Sequence, residues 1–215
     1  MSISVKNVVP DPMRQYTFGP ESIWGNQETV VFEKGKNYII KAHSGKGKST
    51  LVAYLYGLRR DFSGDVRYNN KDVKEIGLME WASIRQTKFS IALQDLRLFP
   101  KLSVIDNLRL KNQLTNYKTE KEIQEMLERF GIGEKTDQTC GTLSYGQQQR
   151  VALIRALLQP FDYLMMDEPF SHLDVENQKI GCAMINEACQ QNGSGIIIAS
   201  LGEDYFFTYD KLVTV

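Results

Sequence analysis

The sequence predicts an α/β fold: a mostly parallel sheet at the core, an antiparallel β-subdomain at the N-terminal end, and a helical subdomain inserted at about residues 95–159. Three observations carry that prediction. Tyr38, Ile39 and Ile40 form an apolar run that tightens through Gly45 and Gly47 and reads as helix from Lys48. Phe161–Met166 and Gly195–Ala199 are continuous apolar runs, the pattern of strands covered on both faces of a parallel sheet. Between Asp95 and Gln159 the apolar positions recur at helical spacing instead. At 215 residues the chain is long enough to bury a full core within a single domain.

Taken in order, Ser2–Val9, Glu28–Phe32 and Tyr38–Lys41 read as strands parted by turns rich in Pro and Gly. Tyr16 lies in the turn-rich part between the first two. It is a candidate to stack on a nucleotide base, and packing within the β-subdomain is the other reading. A helix over Lys48–Leu58 follows, then a short strand at Ser63–Asn69, a short helix over Leu78–Gln86, and a buried strand Phe89–Gln94 ending in a polar amide. Ser103 with Asp106 marks a capped helix start, and Thr119 with Glu122 makes a capping box. Ile123, Met126, Leu127 and Phe130 continue that second helix until Gly131 closes it. Val175–Gln191 reads as a helix ending near Gly193.

Lys and Arg number 26, and so do Asp and Glu, which gives a formal charge of zero without a basic run. That balance points neither to nucleic acid nor to a membrane surface. No apolar run approaches the ~20 residues of a membrane helix, and the N-terminus lacks the layout of a signal peptide. The expectation is a cytoplasmic chain that reaches a membrane only through a partner. Cys140, Cys182 and Cys189 have no CxxC spacing and are expected to be buried thiols.

Three stretches carry chemistry. Strand, glycine-bearing loop and a helix opening with Lys-Ser-Thr make the architecture of a phosphate-binding loop, KAHSGKGKST, with Ala42 where the first glycine of the pattern stands. Backbone N–H groups in such a loop form a nest for an anion, and the helix N-terminus adds to the field. Lys48 would bring a charge to the outer phosphates, and the Ser49 hydroxyl would enter a Mg²⁺ shell. In YLMMDEP, Asp167 and Glu168 end a buried strand, at the sheet edge where ligands bind. There Asp167 would hold Mg²⁺ through water, and Glu168 would act as general base on an attacking water. In LSYGQQQR, Ser144 caps a helix with Gln147 as its capping-box partner.

LSYGQQQR before RALL resembles the signature motif of ATP-binding-cassette (ABC) ATPases, usually L-S-G-G-Q. The phosphate loop, Gln94 as a Q-loop residue, YLMMDEP, and SHLD at Ser171–Asp174 as a D-loop accompany it in family order across nearly the whole chain. The resemblance implies a P-loop NTPase core with ATP and Mg²⁺ as ligands. Ser44, Gly45, Lys46, Gly47, Lys48, Ser49 and Thr50 would wrap the phosphates. Ser49 and Gln94 would stand at Mg²⁺ with Asp167 behind, and Glu168 would be the catalytic carboxylate, assisted by Gln94. In the family two cassettes pair head to tail. Ser144, Gly146 and Gln147 would therefore close over ATP held by a second cassette, identical or closely related, with Asp174 at the same seam. Leu96–Pro100 would lie near the groove for an integral membrane permease subunit. The wording DLRLFPKLSVIDNL is most similar to small export-type and lipoprotein-releasing cassettes.

Two positions depart from the family. Tyr145 replaces a glycine of the signature, and Leu201 stands where a histidine usually bridges to the γ-phosphate, unless Ser200, Glu203 or an ordered water substitutes. The implied function is an ATPase that drives transport through a membrane partner, with turnover slowed at Leu201. The alternative is an ATP-gated switch on such a partner with little or no hydrolysis. No heptad run of the kind found in DNA-maintenance relatives separates Thr50 from Leu143.

Overall fold

The computed structural model describes residues 1–41, 47–202 and 204–215. Two sheets organise them. The first is antiparallel, in the order β2 (Val30–Glu33), β1 (Ser2–Pro10), β4 (Phe62–Tyr68) and β5 (Lys71–Asp72). The second is parallel throughout, in the order β6 (Phe89–Ala92), β7 (Tyr163–Asp167), β8 (Gly195–Ser200), β3 (Tyr38–Lys41) and β9 (Lys211–Thr214).

Successive residues of a strand point to opposite faces, and here both faces are buried. Leu164, Met166, Ile196, Ile198 and Ile39 pack into a core with the helices on one side. Tyr163, Met165, Ile197, Ala199, Tyr38 and Ile40 pack into a second core, shared with α1 (Lys48–Leu55) and with Ile3, Val5 and Val66 of the antiparallel sheet. The Tyr163 hydroxyl lies 3.0 Å from both the Met1 and Phe32 carbonyls, tying the sheets together. The continuous apolar runs in the sequence follow from this double coverage.

Between β6 and β7 the chain forms α3 (Val104–Asn112), α4 (Glu120–Arg129) and α5 (Tyr145–Ala156). α2 (Leu78–Thr87) precedes β6, and α6 (Val175–Asn192) joins β7 to β8. The caps read from the sequence are present. Ser103 accepts the Asp106 amide, Thr119 and Glu122 make a reciprocal box, Ser144 and Gln147 make another, and Gly193 ends α6 with φ +56°. The three cysteines are free and buried.

Boundaries differ in a few places. β6 ends at Ala92, two residues before the predicted Gln94, because β7 stops pairing with it there and the chain turns away. β7 begins at Tyr163 rather than Phe161, since the buried Asp162 carboxylate is turned to an ion pair with the exposed Lys34 at 2.5 Å. The carboxyl ends of β3, β7 and β8 meet on one edge: Lys41 is level with Ser200, and Ala199 with Asp167. In an open parallel sheet that edge holds the ligand.

Candidate functional site

α1 starts at the edge formed by β3. Its N-cap, Gly47, has φ +97°, a conformation that side-chain-bearing residues avoid. A Cβ there would lie 3.2 Å from the Trp24 ring, which is buried and packs edge-to-face on Tyr54. Trp24 thus braces the turn that launches α1, and nothing in its local sequence signals this. Ala42, His43, Ser44, Gly45 and Lys46 lie outside the described residues, as does Glu203.

Lys48 is buried, with its Nζ 3.9 Å from Glu168 Oε1. A cavity of about 320 Å³ opens above, lined by Gly47, Lys48, Ser49 and Thr50 from the start of α1, by Gln94, by Asp167 and Glu168, and by Leu201. Asp167 is 4% exposed. Burial pushes its pKa up, while a hydrogen bond from Ser49 and the Lys48 charge oppose that rise. Its Oδ1 has no hydrogen-bond partner among the described residues. A buried, unsatisfied carboxylate oxygen beside a serine hydroxyl is the hard-oxygen donor set that suits Mg²⁺ and its waters, so the residues present fit that ion.

Glu168 follows β7 with φ +48°, uncommon for a residue with a side chain. Its amide donates to Ala199 O at 3.0 Å, and its carbonyl accepts from Gln149 Nε2 at 3.2 Å. The Gln149 Oε1 accepts the His172 amide at 3.1 Å, so one amide from α5 holds residues 168 and 172 together. Gln149 is 2% exposed and was not singled out in the sequence, where it ends a run of three glutamines. Only a signal of burial would have distinguished it from its neighbours.

The residues of the LSYGQ corner, with Asp174 and Tyr16, are not among those lining this cavity. Ser144 accepts the Gln147 amide at 3.3 Å and donates its own amide to Gln147 Oε1 at 3.0 Å. Gly146 packs so closely that a Cβ would lie 2.8 Å from His172 O. The Tyr145 hydroxyl donates to Gln94 O at 2.7 Å, and its ring centroid is 4.4 Å from that of His172. Asp174 caps α6 through Asn177, whose hydrogen bonds hold its carboxyl below the usual range. Tyr16 is 60% exposed in the turn before β2 and is not brought to the cavity lining. Leu201 is 59% exposed at the cavity rim, and Ser200 Oγ beside it accepts the Gly202 amide at 3.3 Å.

Comparison with known proteins agrees with this geometry. Residues 26–171 match the ABC transporter family. The chain is 31% identical to the phosphonates import ATP-binding protein PhnC of Stutzerimonas stutzeri over 84% of its own length and 71% of the relative's. It is 29% identical to the lipoprotein-releasing system ATP-binding protein LolD of Shewanella frigidimarina, over 85% and 77%. Relatives named for phosphonate import and for lipoprotein release are thus about equally similar. The fold matches the dimeric post-hydrolysis structure of the ATP-binding cassette MJ0796 bound to ADP and Pi, with a TM-score of 0.74 at 22% identity, over 94% of this chain and 88% of the other. With the phosphate-loop helix, the paired carboxylates and the capped LSYGQ helix placed as described, the chain belongs to the ABC transporter family, as one of its ATP-binding cassettes.

Proposed function

We propose that the chain binds and hydrolyses ATP in a head-to-tail pair of cassettes and so drives an integral membrane permease subunit. One observation supports this above others: Gly47–Thr50, Gln94, Asp167 and Glu168 converge on one cavity although they come from three separate parts of the sequence. Lys48 would neutralise charge on the outer phosphates, continuing the loop that contains Ser44, Gly45 and Lys46. Mg²⁺, held by Ser49, Gln94 and Asp167, would supply charge neutralisation at the phosphates. Glu168, aimed into the cavity, would accept a proton from the attacking water. Ser144, Gly146 and Gln147 of a facing cassette would close the site, with Asp174 at the seam and Tyr16 available to a base. The whole chain would act as one nucleotide-binding unit, with residues 95–159 as its helical part.

No described helix is long and apolar enough to cross a membrane, which suits a peripheral place on the cytoplasmic face through a permease. A groove of about 400 Å³ lined by Phe99, Leu110, Lys111, Leu114 and Arg155 would receive that subunit. Burial, with Arg155 nearby, pushes Lys111 down to about 8.

Leu201 favours a second reading, an ATP-gated switch that turns over slowly or not at all, because it puts an apolar side chain where a hydrogen bond to the γ-phosphate is expected. Multiple-turnover phosphate release in the assembled complex separates the two readings. Lys48→Ala tests both: it should abolish ATP binding, and retained tight binding would overturn the site assignment.

A further inference from the structure

We propose that Tyr145 is a positioning residue that ties the signature corner to the Q-loop of its own chain. Occupancy of the cavity beside Gln94 thereby sets the corner offered to a facing cassette. This rests on the paired-cassette reading above.

The contacts come from the side chain at position 145. Tyr145 is the first residue of α5, and its hydroxyl donates to the Gln94 carbonyl at 2.7 Å across 51 positions of sequence. Its ring is held against His172, which hangs in turn from Gln149. A glycine at 145 could make neither contact. Near the other end of α5, the Arg155 guanidinium donates to the Leu96 carbonyl and, at 2.6 Å, to the Arg97 carbonyl. Leu96 and Arg97 both have left-handed φ, +56° and +48°. Two consecutive non-glycine residues in that region persist only where surrounding contacts fix them, and Arg155 supplies those contacts. Gln94 lines the nucleotide cavity with its neighbours Ser49 and Asp167, while Tyr145 lines an adjoining cavity that also contains all three. A shift of the Gln94 backbone is therefore transmitted through one hydrogen bond to the residue between Ser144 and Gly146.

Tyr145→Phe keeps the ring on His172 and deletes only the hydroxyl. In a Glu168→Gln background, which prevents consumption of ATP, two quantities separate the roles. The first is MgATP affinity at protein concentrations too low for pairing, read by displacement of a fluorescent nucleotide. The second is the ATP concentration that half-drives dimer formation, read by sedimentation. The expected result is single-chain affinity within twofold of the Tyr145 parent, with the dimerisation midpoint raised roughly two- to tenfold, the worth of one neutral hydrogen bond. Tyr145→Gly should move the midpoint at least as far. An unmoved midpoint, or equal loss in both quantities, overturns the inference while leaving the paired reading intact. A Tyr145 parent that never dimerises on MgATP removes the paired reading and this inference with it.

Discussion

Gln149 and Glu168 are joined at 3.2 Å, the buried side-chain amide of the first donating to the main-chain carbonyl of the second. The same side chain accepts from His172, so a helix residue fixes both ends of the segment that carries the proposed base. Gln149→Leu keeps the volume and removes its hydrogen bonds, leaving the Glu168 carbonyl with only the Ser171 amide at 3.4 Å and the His172 amide without its Gln149 acceptor. The two losses together cost about 2 kcal/mol. The expected outcome is a drop in melting temperature of roughly 4–8 °C, with phosphate release lowered as well. An unchanged melting temperature would show that water replaces the amide.

Gly146 is set by contact rather than by helix propensity. Alanine would favour the helix by about 1 kcal/mol, yet its Cβ would meet the His172 carbonyl at 2.8 Å, and backbone must move to admit it. Gly146→Ala should therefore bring no gain in melting temperature. Single-chain nucleotide affinity should survive, and the ATP concentration needed for dimerisation should rise about tenfold or more. A stabilised variant that still dimerises normally would mean the corner yields easily.

Leu201 projects at the rim of the cavity that holds Lys48 and Glu168. A histidine there could reach a charged phosphate oxygen, an interaction of about 1.5–3 kcal/mol. Leu201→His should accordingly raise turnover in the assembled complex roughly 10- to 150-fold. Turnover that stays level or falls would remove Leu201 as the weak point.

Asp167 is raised by burial, and the sign of its effect on stability follows. Below the ordinary carboxylate value of 3.8 the side chain is neutral in both folded and unfolded chains. As pH rises above that value the unfolded chain ionises first, so the nucleotide-free fold loses stability until the folded group ionises too. Asp167→Asn avoids that loss. It should melt higher than the parent at neutral pH, match it in acid, and fail to gain stability from MgATP. A parent that outlasts the variant at neutral pH without nucleotide would reverse the assigned direction.

Much of this was readable before the fold was known. Capping boxes at Thr119 and Ser144 are local, since donor and acceptor lie three residues apart and need no tertiary knowledge. The strand ending in Asp167 was readable because both of its faces are buried, so its apolar run is unbroken. β9 was not: it is a four-residue edge strand with Lys211 and Leu212 exposed, and only pairing with β3 defines it. Trp24 against Gly47 and Gln149 beneath Glu168 were equally silent, because each acts across a distance in sequence that no spacing rule covers. Tyr16, the candidate to stack on a base, is exposed and is not among the residues that line the described cavity.

Tyr145, Gln149 and Arg155 ride on a single splint of twelve residues, about 18 Å long. Two loops hang from it by their carbonyl oxygens: the one after β6, at Gln94 and again at Leu96 and Arg97, and the one after β7, at Glu168. A swing of about 5° around one end carries the other by roughly 1.5 Å, more than the span of distances a hydrogen bond tolerates. The loops must then travel with the rod or let go of it, so the roles proposed for Gln94 and Glu168 and the face shown to a neighbour become one movement.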